Sequence, residues 1–142
     1  MQWHKPIYTE AHALLDRLRL SPLAHTPVTE LAYGKQRLLE IALALAAKPR
    51  ILLLDEPAAG IPAGESSELF EVIAELPADI SVLFIEHDMN LVFRFARRIS
   101  VLVAGEILTE GTPREISTDP RVRDVYLGHR TNKMAQGAAT DA

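Results

Sequence analysis

The sequence contains no cysteine, a single tryptophan and only 6 % aromatic residues among its 142 residues. The absence of cysteine excludes a disulfide framework, a thiolate metal site and a cysteine nucleophile. No apolar run reaches the roughly 18 residues that a membrane-spanning helix requires. The first residues, MQWHKPIYTEAH, lack the long apolar core of a secretory signal peptide. Together these absences predict a cytoplasmic protein.

The charge balance is mildly acidic, with 15 Lys and Arg residues against 19 Asp and Glu residues and a formal net charge of −4. This balance gives no general electrostatic reason to bind DNA, RNA or an anionic membrane, so we expect no nucleic-acid partner. The hydrophobic content of 48 % is typical of a globular chain. The length is that of one domain.

Apolar periodicity predicts alternating helices and strands. Apolar residues at helical spacing predict helices at 10–20, 35–48, 66–76 and 88–97. The short, continuous apolar run 51–54 predicts a strand that is covered on both faces, as in a parallel sheet, and the run 80–85, broken only by Ser81, predicts a second buried strand. Residues 99–103 and 106–109 flank Ala104-Gly105 and predict a β-hairpin. Short helices are expected from Thr112-Pro113 and from Asp119-Pro120, and residues 129–142 are expected to form a flexible tail.

Charged residues follow both predicted parallel strands. Asp55-Glu56 ends the first strand, and Glu86-His87-Asp88 ends the second. Ligands of open α/β sheets bind outside the carboxyl ends of the strands, so carboxylates delivered to this edge suit metal and phosphate chemistry. Asp55 could hold Mg²⁺ through water, Glu56 could orient or deprotonate a water, and His87 could contact a terminal phosphate. The alternative is that these side chains only cap helices or solvate the strand ends.

A glycine-containing loop precedes the second predicted helix. Gly34 lets the backbone approach a ligand closely, and Lys35 and Arg37 add positive charge. The free N–H groups and the dipole of a helix N-terminus favour an anion there. The alternative is an ordinary transition from a loop to a helix, because glycine is common at such positions.

The order and spacing of three segments, LAYGKQRLLEIALALA, ILLLDEPAAGIP and VLFIEHDM, resemble the ATP-binding subunit of ABC transporters. The resemblance runs from about Leu14 to Gly128. It implies a signature motif at Leu31, Ala32, Tyr33, Gly34, Lys35 and Gln36 that contacts the ATP of a partner subunit. It also implies a Walker B strand at 51–56, a D-loop region at 59–62 and a switch histidine at His87.

The roles that the resemblance implies are Mg²⁺ binding for Asp55, general base for Glu56 and a γ-phosphate contact for His87. The cofactors would be ATP and Mg²⁺. The LAYG, EPAAG, EHDM, EGTP and VYLG segments resemble the branched-chain amino acid importers of this family. Such ATPases pair head to tail beneath two membrane permeases, which implies a location peripheral to the inner membrane.

The sequence departs from the family pattern in several places. It contains no G-x-x-x-x-G-K-[ST] Walker A loop, since its only Gly-Lys pair, Gly34-Lys35, is followed by Gln36. Ala32 stands where the signature usually has serine, Lys35 replaces a Gln or Asp type of residue, and Pro62 departs from the usual D-loop. We therefore expect an α/β fold with an incomplete P-loop NTPase-like parallel sheet flanked by helices, followed by a C-terminal β-hairpin and short helices.

The domain assignment that follows is the C-terminal portion of an ABC ATPase over 1–128. Residues 10–48 would end the helical subdomain, and 49–128 would form the second half of the catalytic core. We expect the chain to be inactive alone, because the Walker A backbone and lysine supply most of the phosphate cradle. Two alternatives are a non-catalytic partner that donates its signature loop to an intact ATPase, and a truncated gene remnant.

Overall fold

The structure, a computed structural model, describes residues 5–125. The chain divides into two compact units, Met1–His87 and Asp88–Ala142. The predicted flexible tail lies outside the described residues. In the part of the chain that is described, no helix is both long enough and apolar enough to cross a membrane.

Three α-helices belong to the first unit, and each begins before its predicted start. They are α1 (Lys5–Arg17), α2 (Tyr33–Ala46) and α3 (Ala63–Ala74). The prediction located each helix by its main apolar stripe and therefore missed the first residues, which in α1 include the exposed Ile7 and Tyr8. The predicted ends at 20 and 48 are also too late, because Arg19 and Lys48 adopt left-handed φ angles of 57° and 54° that are incompatible with a continuing helix.

The strands β1 (Ile51–Asp55) and β2 (Ser81–Ile85) pair in parallel, which confirms the predicted parallel sheet. The prediction that both faces are covered is wrong within residues 5–125. Leu52 is buried on one face, whereas its neighbour Leu53 is 69 % exposed and lies in register with the exposed Leu83. Successive side chains of a strand point to opposite faces, so one face packs on the core and the other is apolar but exposed.

The buried face of this sheet and the helices share one hydrophobic core. Its fully or nearly fully buried members come from the turn after α1, from α2, from β1 and from α3, and they are Leu18, Leu20, Leu38, Ile41, Ala42, Leu45, Leu52, Leu69, Val72 and Ile73. The core therefore fixes α2 and α3 against the same face of β1, and this arrangement positions the loops that precede α2 and α3.

The second unit contains α4 (Met89–Phe95), the strands β3 (Ile99–Val103) and β4 (Glu106–Gly111), and α5 (Pro113–Thr118). The strands form the predicted antiparallel hairpin. Asp88 caps α4 by accepting from the Asn90 amide at 2.9 Å, as predicted, but the helix ends before residue 97 because Ala96 is extended. Thr112 caps α5 in a reciprocal capping box with Glu115. A further helical turn begins at Pro120, and its predicted end near Gly128 lies outside the described residues.

Candidate functional site

The parallel strands bring polar residues to one edge of the first unit's sheet. Asp55 ends β1 in register with Ile85, which ends β2, and the Glu56 amide extends the ladder by donating to the Ile85 carbonyl at 2.9 Å. Glu56 has a φ of 42°, in the left-handed region that residues other than glycine rarely adopt. Backbone strain of this kind is concentrated at functional sites, which supports a functional role for Glu56.

Glu56 and His87 contact each other at this edge. The Nδ1 atom of His87 lies 3.2 Å from Oε1 of Glu56, and the two side chains are 75 % and 49 % exposed. An ionised carboxylate can only accept, so Nδ1 donates in this contact. The structure thus brings two of the predicted site residues together and leaves both accessible from solvent.

Glu86 has a role at this edge that the sequence analysis missed. Its Oε1 accepts a hydrogen bond from the Ala58 amide at 2.9 Å, and the Ala59 amide donates to the Glu56 carbonyl at 2.9 Å. These two bonds fix the turn that follows β1. The sequence signal was the run of polar residues after β2, but a side-chain bond to a distant backbone amide cannot be read from it.

The six predicted signature residues, Leu31–Gln36, form the junction between a short 3₁₀ turn and α2. Ala32 is the N-cap, with extended backbone and no side-chain capping bond, so α2 begins at Tyr33. The Nε2 atom of Gln36 donates to the Leu31 carbonyl at 2.9 Å and to the Val28 carbonyl at 3.3 Å. The side chain of Gln36 therefore holds the signature loop against the start of its own helix.

Gly34 and Lys35 face the start of α3. A Cβ added at Gly34 would lie 2.9 Å from Oε2 of Glu65 and 3.6 Å from Cγ2 of Ile61. The Lys35 Nζ atom lies 2.7 Å from Oε1 of Glu68. The sequence analysis did not anticipate either glutamate. Gly34 thus approaches another part of the protein closely, and the charge of Lys35 is paired.

The side chain of Tyr33 lies between α2 and the loop after β1. A Cβ added at Gly60, whose φ is +76°, would lie 3.3 Å from Cε1 of Tyr33. Arg37 donates to the Tyr33 hydroxyl at 2.9 Å and places its guanidinium carbon 5.2 Å from the ring centre. A hydrogen bond from Arg37 to the Glu40 carboxylate raises the pKa of the guanidinium further above its ordinary value. Both cations near the signature loop are thus engaged with glutamates.

Asp55, the predicted metal ligand, is exposed at the end of β1. Among residues 5–125, no three or more His, Asp and Glu side chains are arranged around a common metal position. Protein-bound Mg²⁺ is often held by one or two carboxylates, with water and phosphate oxygens completing the shell. A single accessible carboxylate fits a Mg²⁺ ion that arrives with a nucleotide, and it does not fit an ion held by protein side chains alone.

Sequence models of known protein families match two segments of this chain. Residues 4–59 match the sequence model of the family described as ABC transporter, and residues 106–131 match that of the branched-chain amino acid ATP-binding cassette transporters. The chain is 47 % identical over 116 residues to the high-affinity branched-chain amino acid transport ATP-binding protein LivG of Escherichia coli strain K12. This chain belongs to the ABC transporter ATP-binding family. The resemblance stated from the motifs is therefore confirmed.

Other members of the family show comparable similarity. The chain is 44 % identical over 116 residues to BraF of Pseudomonas aeruginosa, a branched-chain amino acid transport ATP-binding protein. It is 43 % identical over 116 residues to LptB of Acidithiobacillus ferridurans, a lipopolysaccharide export system ATP-binding protein. The matches cover 80 % of this chain but 46 % of both LivG and BraF, so the chain spans about half the length of these relatives.

Solved structures of the family confirm the fold. An ATP-binding cassette of an ABC transporter in its ADP conformation superposes with a TM-score of 0.78 at 32 % identity, over 87 % of this chain and 51 % of that one. A nucleotide-free ATP-binding cassette gives a TM-score of 0.75 at 31 % identity, over 86 % of this chain and 50 % of that one. The α/β architecture predicted from the sequence is that of ABC ATPase domains.

Proposed function

We propose that this chain serves an ABC importer as part of its ATP-hydrolysing machinery, with branched-chain amino acids as the transported class. The observation that carries the proposal is the contact between Glu56 and His87 beside the end of β1. The signature loop belongs to the same compact unit. The identity to LivG and BraF supports the class of cargo.

Asp55, Glu56 and His87, which lie at the carboxyl ends of β1 and β2, each have a chemical role in this proposal. Glu56 accepts a proton from the attacking water, because a carboxylate within reach of water is a suitable general base. His87 would contact the terminal phosphate, and Asp55 would hold Mg²⁺ together with water and phosphate oxygens. The metal, when bound, neutralises charge that develops on the phosphates. The strained Glu56 backbone and the bond from Ala58 to Glu86 fix the turn that carries the base.

The signature loop has the second role. Its backbone N–H groups and the positive end of α2 meet the phosphates of ATP bound to a partner ATPase. Ala32 supplies no hydroxyl group, so the backbone of Tyr33 and Gly34 provides the contact. We further propose that the assembled pair lies beneath membrane permeases at the inner membrane.

For these 142 residues, we propose that the function is to donate the signature loop to an intact ATPase, and not to hydrolyse ATP alone. The sequence contains no Walker A pattern from which to build its own phosphate cradle. Asp55, Glu56 and His87 then form half of a site. The alternative is that the chain is a truncated gene remnant with no role. In that case it would bind no partner in a nucleotide-dependent way.

The test is to mix the chain with intact LivG of Escherichia coli and to measure complex formation by sedimentation velocity, with and without Mg²⁺ and a non-hydrolysable ATP analogue. We expect a complex only when the nucleotide is present. A complex that forms equally well without nucleotide would contradict donation of the signature loop. No complex at any nucleotide concentration would favour the remnant.

A further inference from the structure

Lys35 and Glu68 form an ion pair that joins the signature loop to α3. The Nζ and Oε1 atoms are 2.7 Å apart, and the two side chains are 24 % and 36 % exposed. The residues are 33 positions apart in the chain, so the pair links two helices and does not merely support one. Partial burial reduces screening by solvent and salt, which makes this pair stronger than an ordinary surface pair.

The two residues before Lys35 are held by the same part of the chain. Glu65, one helical turn before Glu68, packs against Gly34 so closely that no Cβ fits between them without displacing the carboxylate. The ring of Tyr33 covers Gly60 in the loop that leads to α3. Three consecutive signature residues thus each contact the segment that follows β1. The contact of Lys35 with Glu68 is an ion pair.

The charge of Lys35 has two possible uses at this place. It can attract the phosphate of a partner's ATP, or it can hold α3, and the distance of 2.7 Å between the ammonium group and Glu68 favours the second use. We propose that Glu68 is a positioning residue that, through Lys35, makes the signature loop and the start of α3 one rigid body. In this arrangement the backbone of the loop, and not Lys35, meets the phosphate. The functional part of this inference rests on the proposed signature donation.

The two uses predict effects of opposite sign. If Glu68 positions the loop, Glu68→Gln loosens the loop and weakens nucleotide-dependent association with an ATPase. If Glu68 merely competes with phosphate for Lys35, the same substitution frees the cation and strengthens the association. Lys35→Met distinguishes the two uses further. If the ion pair positions the loop, Lys35→Met and Glu68→Gln should have the same effect on association, and combining the two substitutions should add little.

The first measurement needs neither partner nor nucleotide. Amide hydrogen exchange is followed at Lys35 and Gln36, whose amides donate to the Ala32 carbonyl at 2.9 and 3.1 Å. We expect exchange about fivefold faster in Glu68→Gln, the loss expected for a part-buried ion pair that restrains local opening. Glu75→Gln is the matched control, because Glu75 pairs with Arg19 at 2.7 Å just beyond the other end of α3. It should leave these two amides unchanged.

The second measurement is the sedimentation assay with intact LivG, repeated with Glu68→Gln and Glu75→Gln. We expect weaker nucleotide-dependent association for Glu68→Gln alone. Unchanged exchange at Lys35 and Gln36 in Glu68→Gln, or stronger association, would overturn the inference. If the unmodified chain forms no complex, the proposed function fails, and the exchange rates still decide whether Glu68 positions the loop.

Discussion

The Nδ1 atom of His87 lies 3.2 Å from Oε1 of Glu56 although the residues are 31 positions apart in the chain. The parallel register of β1 and β2 brings them together, because each residue follows the end of its strand closely. The contact thus holds the His87 ring against Glu56 at the carboxyl end of the sheet.

The first prediction concerns catalysis by the chain alone. We expect no hydrolysis of MgATP above background, because Glu56 and His87 lack the phosphate cradle that a Walker A loop provides. A phosphate-release assay on the purified chain checks this. The prediction would be contradicted if the chain hydrolysed ATP and Glu56→Gln abolished that activity. Glu56 and His87 would then belong to a complete site.

The second prediction concerns the exposed face of the two-stranded sheet, formed by Ile51, Leu53, Leu83 and Ile85, which are 61–69 % exposed. We expect self-association of the chain, because contiguous apolar surface beside unpaired strand edges favours it. Leu53→Ser with Leu83→Ser should reduce light scattering and the binding of an apolar dye while leaving the unfolding midpoint nearly unchanged.

Leu52→Ala is the matched control for this face. Leu52 is 5 % exposed on the opposite side of β1 and belongs to the core, so its truncation should cost roughly 2–5 kcal/mol of stability. It should not reduce self-association. A monomeric unmodified chain with no dye binding at high concentration would contradict the prediction.

The exposed sheet face also shows where sequence reasoning succeeds and where it stops. The continuous apolar run at 51–54 correctly predicted a parallel strand, because period and composition reflect the local backbone. It wrongly predicted cover on both faces within the described residues, since what covers a face depends on which other segments are present.

The third prediction compares Gly60, in the loop between β1 and α3, with Gly64, in the first turn of α3. Gly60 has a φ of +76° and its missing Cβ would lie 3.3 Å from the Tyr33 ring. Gly60→Ala should therefore destabilise the chain by about 1–2 kcal/mol through the left-handed backbone alone. Gly64→Ala is the control, because a Cβ there meets nothing within 4 Å in a helix, and it should be neutral or stabilising by up to about 1 kcal/mol. Equal midpoints in denaturant for the two variants would contradict this.

The fourth prediction concerns Asp119 in the second unit. Hydrogen bonds from the Arg121 guanidinium lower the pKa of Asp119 from 3.8 to about 2. A carboxyl whose pKa is lower in the folded state contributes stability that is present above its unfolded pKa and is lost as pH falls through the folded value. We therefore expect this contribution to be intact above pH 3.8 and to disappear towards pH 2.

Carbon-detected NMR titration of the Asp119 carboxyl measures this shift. Arg121→Gln removes the largest cause, so the pKa should return towards 3.8. Asp119→Asn should remove the corresponding part of the pH dependence of stability. A pKa of Asp119 that is the same with and without Arg121 would contradict the assignment.

The signature loop marks the limit of sequence reasoning at the site itself. The motif and its place before a helix could be predicted from the residues of 31–36, because they lie together in the chain. The contacts of Gly34 with Glu65 and of Lys35 with Glu68 could not, because they depend on how α3 packs beside α2. Glutamates in an amphipathic helix usually indicate only its solvent face.

The last prediction uses the Glu65 contact to separate a ligand role of Gly34 from a packing role. Gly34→Asp places a second carboxylate beside Glu65, so it should destabilise the chain by roughly 1–3 kcal/mol through like-charge repulsion and crowding. The proposed complex brings phosphate to the backbone of the same loop, so the added charge would also lie near that phosphate. Gly34→Asp alone therefore loses association with LivG for two reasons that a single variant cannot distinguish.

Adding Glu65→Gln removes the internal repulsion and leaves the repulsion of phosphate in place. If the loop meets the ATP of a partner, Gly34→Asp with Glu65→Gln should regain most of its stability and still show no nucleotide-dependent association. If Gly34 serves only the packing of α2 on α3, the double variant should regain both. Glu65→Gln alone and Glu56→Gln are the controls, and both should associate like the unmodified chain, because neither adds charge at the loop. Recovery of association in the double variant would end the assignment of residues 31–36 as a phosphate contact.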